Sequence, residues 1–147
     1  MSTHPRRHPA LPVLLAALLF ATLIPTACAT SVELQFSAGQ SLIFNGAGPQ
    51  GIQIEVETGS ALPSVTVTLE LRRYDANGLL PTPRPKPAST AETTDDIRGG
   101  GGPVHLQLTI PVTGFYELTA IATDAEGKTL ARKRTLLAAL QQVSTKK

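Results

Sequence analysis

Few side chains after residue 30 are suited to acid–base chemistry. Glu55 and Glu57 stand two positions apart, a spacing that puts both carboxylates on one face of a strand, about 7 Å apart. Some carboxyl pairs of glycosidases have that separation. His105 lies alone between two apolar residues. Because the sequence offers no nucleophile elbow beside a base, and because alternating Glu is the ordinary solvent side of a sheet, we predict a non-catalytic protein.

Two nearly identical tetrapeptides are candidate turns or cation loops. They run from Asp75 to Gly78 and from Asp124 to Gly127, and each follows a long alternating segment. Asp accepts backbone N–H bonds across a turn, and Gly adopts a positive φ angle. Each tetrapeptide lacks the dense Asp/Asn ladder and the distal Glu of a calcium loop. The pattern therefore favours two hairpin turns, with no metal and no cofactor.

The N-terminus has the organisation of a secretory signal peptide. Arg6 and Arg7 precede a mostly apolar run over residues 11–24, which small residues follow. The run is shorter than the roughly 20 apolar residues that span a bilayer, and Pro25 would strain a helix continuing past it. We therefore expect an exported protein whose signal peptide covers residues 1–29.

Cys28, the only cysteine, lies where two processing signals overlap. The residues from Ile24 to Cys28 resemble a bacterial lipobox, with Pro25 where that pattern has Leu. This resemblance implies cleavage after residue 27 and a membrane anchor on the lipidated Cys28. Alternatively, Ala27-Cys28-Ala29 is an A-x-A site that would release a thiol-free protein. Either outcome places the protein in the periplasm or at the cell surface.

The charge of the exported part argues against one class of partner. Two of the 13 basic residues, Arg6 and Arg7, precede Cys28, whereas all 11 acidic residues follow it, so the remainder is formally neutral. A neutral chain lacks the positive potential that binds nucleic acid, and we predict no such partner. Its length suits one domain.

Apolar and polar residues alternate with period two through most of this domain, which we place at residues 30–140. The alternation predicts about seven half-buried strands. They centre on residues 32–36, 42–44, 52–56, 65–74, 104–110, 115–123 and 129–136. Residues 136–140 are compatible with either the end of the last strand or a short helix.

Residues 79–103 interrupt this pattern. They contain five prolines and four consecutive glycines with almost no large apolar residue. Such a stretch is excluded from a central strand, and we predict a long spacer loop, polyproline-like at first and flexible later. Residues 141–147 are predicted to be a flexible tail.

An alternating sheet must cover its apolar face, so the strand count predicts an all-β, antiparallel immunoglobulin-like β-sandwich, with a barrel as the rival. The stretch from Gly114 to Gly127 resembles the end of bacterial immunoglobulin-like and PKD-like modules. The stretches from Tyr74 to Gly78 and from Gly114 to Leu118 are more weakly similar to the N-terminal β-sandwich of some secreted glycoside hydrolases. This similarity implies an accessory module or a fragment without its catalytic domain.

Tyr116 is expected to brace a corner of this sandwich through its hydroxyl. The sequence then predicts an interaction or structural module of the bacterial cell envelope. The alternative is a carbohydrate-binding accessory domain that stacks sugar rings on aromatic side chains. The absence of Trp, and the expectation that most aromatic residues are buried, count against that alternative.

Overall fold

The structure is a computed structural model, and it describes residues 31–37, 42–43 and 47–141. These residues form eight strands and no helix. The strands are β1 (Val32–Phe36), β2 (Leu42–Ile43), β3 (Gly48–Thr58), β4 (Leu62–Arg73), β5 (Ser89–Ile97), β6 (Gly102–Ile110), β7 (Gly114–Thr123) and β8 (Thr129–Ala139). The predicted signal peptide with Cys28, and residues 142–147 of the predicted tail, lie outside the described residues.

The strands form two sheets, one of three strands in the order β1-β3-β6 and one of five in the order β2-β8-β7-β4-β5. Every pairing is antiparallel except that of the two-residue β2, which runs parallel to β8. The predicted immunoglobulin-like β-sandwich is thus confirmed. Its described strands number eight because β5 adds one to the strands expected from the sequence.

The core lies between the two sheets and consists of the alternating apolar side chains of both. Fully buried side chains include Leu34, Ile52, Ile54, Val56, Val65, Leu69, Leu71, Leu108, Ile110, Leu118 and Leu137. Burial of one such side chain contributes about 1.5–3 kcal/mol. Most of them lie in register with a core residue of a neighbouring strand, as Leu71 does with Leu118, so a one-residue slip would expose the whole set.

The prediction of one loop over residues 79–103 was wrong. Ser89–Ile97 is a strand, β5, which pairs with β4 along one edge of the five-stranded sheet. An edge strand needs only one apolar side, and here Ala91 and Thr93 are half-buried while Ile97 is buried. The polar composition that excluded a central strand is compatible with this position.

The prolines before β5 belong to a segment that we call the proline strap, residues 80–88. The strap lies against the outer face of the five-stranded sheet. Arg72 Nε donates to the Pro85 carbonyl at 3.1 Å, and Arg84 forms an ion pair with Glu117. At its end the Ala88 N–H donates to the Leu71 carbonyl at 2.7 Å. The strap therefore has defined contacts and is not a spacer.

The four glycines, residues 99–102, carry the chain from β5 in one sheet to β6 in the other. Gly101 has φ +90°, and a Cβ built on it would lie 1.9 Å from the Val56 carbonyl oxygen. Only glycine fits so close to a neighbouring backbone. This run is a compact corner between the sheets.

The C-terminal alternative is settled in favour of a strand, because β8 continues to Ala139 and its last two residues pair with β2. Across the described ranges, no helix has the length and apolar character needed to cross a bilayer.

Candidate functional site

An open groove lies at the end of the five-stranded sheet where β4 finishes and β7 begins. Its volume is about 870 Å³, and it is lined by Arg73, Tyr74, Asp75, Ala76, Gly78, Gly114, Phe115 and Leu136. The lining comes from β4, β7, β8 and the turn after β4. We call this site the terminal groove.

Two large apolar side chains of the terminal groove face solvent. Phe115 is 55% exposed and Leu136 is 53% exposed. In the β7–β8 ladder Phe115 lies opposite Ala138, two residues from Leu136. They are therefore diagonal neighbours on the outer face, with backbones about 7–8 Å apart. Side by side, they form an apolar patch on a surface whose neighbouring strands are mostly polar.

Tyr74 lies next to Phe115 because the ladder of β4 and β7 continues by one backbone hydrogen bond beyond the pair Arg73 and Tyr116. The Tyr74 N–H donates to the Phe115 carbonyl at 3.0 Å. The half-buried Tyr74 ring thus lies beside a largely exposed Phe115 ring. Two aromatic rings with partial exposure can stack on a ligand or accept an apolar side chain.

The turn after β4 fixes one wall of the terminal groove. Asp75 Oδ1 accepts the N–H groups of Asn77 at 2.9 Å and Leu79 at 2.8 Å. Gly78 closes the turn with φ +73°, and its N–H donates to the Asp75 carbonyl at 3.1 Å. The wall is rigid because the Asp75 carboxylate binds backbone N–H groups of the turn that would otherwise bind water.

The second predicted turn has the same geometry at the opposite end of the sheet. Asp124 Oδ1 accepts the N–H groups of Glu126 at 3.1 Å and Lys128 at 2.8 Å, and Gly127 has φ +81°. Both aspartates accept hydrogen bonds from backbone N–H groups of their own turns. Among the described residues, no three His, Cys, Asp or Glu side chains converge as a metal site would require.

Tyr116 stands directly behind the terminal groove, on the core side of β7. Its side chain is fully buried, and its hydroxyl donates to the Val112 carbonyl at 2.5 Å. The bond ties the loop before β7 to the strand, the arrangement of a tyrosine corner. It holds in place the backbone from which Phe115 projects.

Charged groups border the terminal groove. Arg73 Nη2 lies 3.5 Å from the Thr113 carbonyl, which accepts its hydrogen bond. A Cβ on Gly114, which has φ +151°, would lie 3.3 Å from Arg73 Nε. Gly114 thereby leaves space for the guanidinium to cross the start of β7. A cation on one wall and Asp75 on another give the apolar patch a polar rim.

Next to the groove, a polar cluster lies under the proline strap. Glu117 is 8% exposed and Thr119 is 3% exposed, although the alternation predicted that both would face water. That prediction was wrong for Glu117, whose carboxylate Arg84 of the strap covers, and for Thr119, which lies beside Glu117 on the same face of β7. Glu117 accepts from Arg84 and, at 3.3 Å, from the Thr119 hydroxyl.

The residues considered for acid–base chemistry lie on the other sheet. Glu55 accepts from Gln53 Nε2 at 2.6 Å and Glu57 accepts from Gln35 Nε2 at 3.2 Å. The exposed His105 lies opposite Gln53 in the ladder of β3 and β6. All of them project from the outer face of the three-stranded sheet, away from the terminal groove.

The terminal groove itself was not predicted, although part of its signal is in the sequence. The alternation that buries Tyr116 and Leu118 also places Phe115 on the outer face. The expectation that the aromatic residues are mostly internal was wrong for Phe115. Leu136 lines the groove because of the register between β7 and β8, and the residue types do not specify that register.

No protein-family model matches the sequence, and no curated protein matches it. The solved structures to which this chain is similar include two from different organisms. The first is a family 76 glycoside hydrolase from a bovine Bacteroides thetaiotaomicron strain, with 16% identity, a TM-score of 0.39, and coverage of 74% of this chain and 20% of that chain. The second is the CARDB domain of a Pyrococcus furiosus protein in complex with di-metal ions, with 12% identity, a TM-score of 0.43, and coverage of 77% and 94%. The chain thus spans a fifth of the hydrolase's length.

Proposed function

We propose that this chain is a non-catalytic interaction module of the bacterial cell envelope, and that its terminal groove binds a segment of a partner protein. The observation that carries the proposal is the adjacent exposure of Phe115 and Leu136. In these exposed positions, neither the Phe115 ring nor the Leu136 side chain contributes to the core. Contiguous exposed apolar side chains with a polar rim are typical of binding sites.

The surroundings of the patch support this role. Asp75 and Tyr116 hold the two backbones that carry the aromatic rings, so little conformational entropy is lost when a partner binds. Arg73 and Asp75 provide one charge of each sign beside the patch. An extended segment with an apolar anchor between polar residues fits both features.

A glycan ligand is the second candidate, and the exposure of Phe115 favours it. A sugar ring can stack on an aromatic face while its hydroxyl groups bind nearby charged side chains. Tyr74, Arg73 and Asp75 provide such neighbours at the same groove. The absence of Trp from the chain remains an argument against this candidate.

Export is part of the proposal and rests on the sequence pattern of residues 1–29. The protein is anchored by lipid on Cys28 or released after Ala29. The intact mass of protein from the native membrane fraction distinguishes these routes. A diacyl or triacyl adduct on a chain beginning at Cys28 establishes the anchor, and a chain beginning at Thr30 establishes release. An uncleaved N-terminus contradicts export through a signal peptide.

Retention assays test the groove. Immobilised wild-type protein, Phe115→Ser and Leu136→Ser are compared on envelope extracts and on a panel of polysaccharides. Leu79→Ser is the matched control, because Leu79 is 64% exposed but does not line the groove. The proposal predicts a retained protein that both groove variants lose and the control keeps. Retention of polysaccharide alone supports the second candidate, and retention indifferent to all three changes contradicts both.

A further inference from the structure

The outer face of β8 carries a row of positive charge that begins beside the terminal groove. Alternate side chains of a strand share a face, so Leu136, Arg134 and Arg132 follow one another on the outer face, about 6.7 Å apart. All three are exposed. Leu136 lines the groove, and the two arginines lead away from it along the strand. We call Arg132 and Arg134 the arginine track.

The neighbouring strand β7 does not neutralise the arginine track. In the β7–β8 ladder the track lies opposite Thr119 and Ile121, which are uncharged. Glu117, the one acidic residue of β7, is a diagonal neighbour of Arg134, but its carboxylate accepts from the proline strap and from Thr119. Among the described residues, which include every Asp and Glu of the chain, no carboxylate forms an ion pair with the track.

Two further carboxylates, on β4 and in the turn after it, are also engaged. Glu70 forms an ion pair with Arg72 at 2.6 Å, and Asp75 Oδ1 accepts two N–H groups of its own turn. Arg73 of the groove, by contrast, makes one long hydrogen bond, to the Thr113 carbonyl at 3.5 Å. The uncompensated charge around the groove and along the track is therefore positive, which favours an anionic partner.

An extended peptide fits this arrangement better than a membrane surface does. Apolar side chains that enter a bilayer must project beyond their surroundings, whereas Phe115 and Leu136 line a groove that the turn after β4 walls on one side. Alternate side chains of an extended peptide repeat at about 6.7 Å, as those of β8 do. With one apolar side chain in the groove, the side chains two and four positions along the peptide therefore lie over Arg134 and Arg132.

We propose that the partner segment is acidic, with one apolar anchor and carboxylate side chains at the second and fourth positions from it, which bind Arg134 and Arg132. This inference rests on the proposed function, because the anchor occupies the terminal groove. Exposed ion pairs are individually weak. The arginine track therefore selects among segments that share an apolar anchor, and it speeds their association.

NMR titration of the isotopically labelled full-length protein with capped synthetic peptides tests this proposal. The acidic peptide has a leucine and, two and four positions from it, glutamates. A second peptide has glutamines in place of both glutamates, and a third has serine in place of the leucine. Each is made in both sequence orders, since the segment can run either way along β8. At about 0.05 M salt the acidic peptide should bind about fivefold or more tightly than the other two, and at about 0.5 M salt its advantage over the glutamine peptide should shrink because the charges are screened.

Arginine variants locate the contact. The double variant Arg132→Gln with Arg134→Gln should bind the acidic peptide about fivefold or more weakly and lose the preference for glutamate over glutamine. Arg98→Gln is the matched control, because Arg98 is exposed and follows β5, which β7 and β4 separate from β8. It should keep the full preference. Amide signals that are unchanged outside β8 and its neighbours show that the double variant is folded.

The outcomes separate this proposal from the groove's own role. Equal affinity for the glutamate and glutamine peptides, with binding that Phe115→Ser abolishes, overturns the acidic segment and leaves the groove as a binding site. Binding that ignores both the leucine and Phe115→Ser contradicts the groove as well. Failure of the acidic peptide to bind overturns the proposal. So does binding to phosphatidylglycerol vesicles, in place of the peptide, that the double variant loses, because the track would then contact a membrane.

Discussion

The hydroxyl of Tyr116 donates a 2.5 Å hydrogen bond to the backbone carbonyl of Val112, and this bond joins the core of the sandwich to the loop beside the terminal groove. The ring is fully buried and packs with the core, whereas Val112 is 42% exposed. The bond therefore crosses from the interior to the surface. Adjacent Phe115 points to the opposite side of the sheet, into the groove.

Removing this hydroxyl should destabilise the fold modestly. For Tyr116→Phe we expect a loss of about 1 kcal/mol in the free energy of unfolding, the net contribution of one hydrogen bond, because the partially exposed carbonyl can bind water instead. Urea unfolding with an unchanged m value measures it. Tyr74→Phe, at a half-buried ring, should change the free energy by less than about 0.5 kcal/mol. Equal effects of the two changes would contradict a bracing role for Tyr116.

Gly101 should tolerate no side chain. A Cβ there would lie 1.9 Å from the Val56 carbonyl oxygen and 2.9 Å from the Glu57 Cα, so the corner between the sheets would have to open. We expect Gly101→Ala to lower the free energy of unfolding by about 3 kcal/mol or more. Gly102→Ala is the control, since nothing lies within 4 Å of its added Cβ. Similar melting temperatures for both variants would contradict the described corner.

The two aspartate turns should contribute similarly and independently. Each of Asp75→Ala and Asp124→Ala removes an acceptor of two backbone N–H bonds. Because these groups are exposed to water, we expect a loss of about 1 kcal/mol each. The turns lie at opposite ends of the sheet, so the double variant should show the sum of both losses. A marked departure from additivity in denaturant unfolding would contradict independent turns.

The proline strap should depend on its ion pair with Glu117. The Glu117 side chain is nearly buried, and the Arg84 side chain retains 40% exposure. Arg84→Ala leaves the carboxylate covered without its cation, and we expect a loss of about 1 kcal/mol. Arg84→Ala should cost less when Glu117→Gln is already present. A double-mutant cycle measures this coupling, and strict additivity would show that the pair contributes nothing.

The sequence predicts those parts of the fold in which apolar and polar residues alternate strictly. The strands around Val65 to Leu71 and Val104 to Ile110 lie where the period of two places them. β5 was not predicted because an edge strand has one ladder partner and needs few apolar residues. Its polar residues pair with β4 through backbone bonds that composition does not reveal.

The candidate site was less predictable because it depends on register and on a covering segment. The alternation assigns Phe115, Glu117 and Thr119 to one face. It does not reveal that Glu117 and Thr119 are buried while Phe115 stays exposed, because the group that covers the Glu117 carboxylate is Arg84 of the distant proline strap. The catalytic-type residues Glu55 and His105 were predicted to lie on a solvent face, and the structure places both there in the three-stranded sheet.

Site-specific photo-crosslinking in cells tests the central claim, that the terminal groove is where a partner binds. A crosslinking residue is introduced in place of Leu136 and, as control, in place of Glu126 in the turn at the other end of β7. We predict one envelope protein joined to the chain from position 136, none from position 126, and loss of the product when Phe115→Ser is added. Equal products from both positions, or a product from 136 that Phe115→Ser leaves unchanged, would contradict the account.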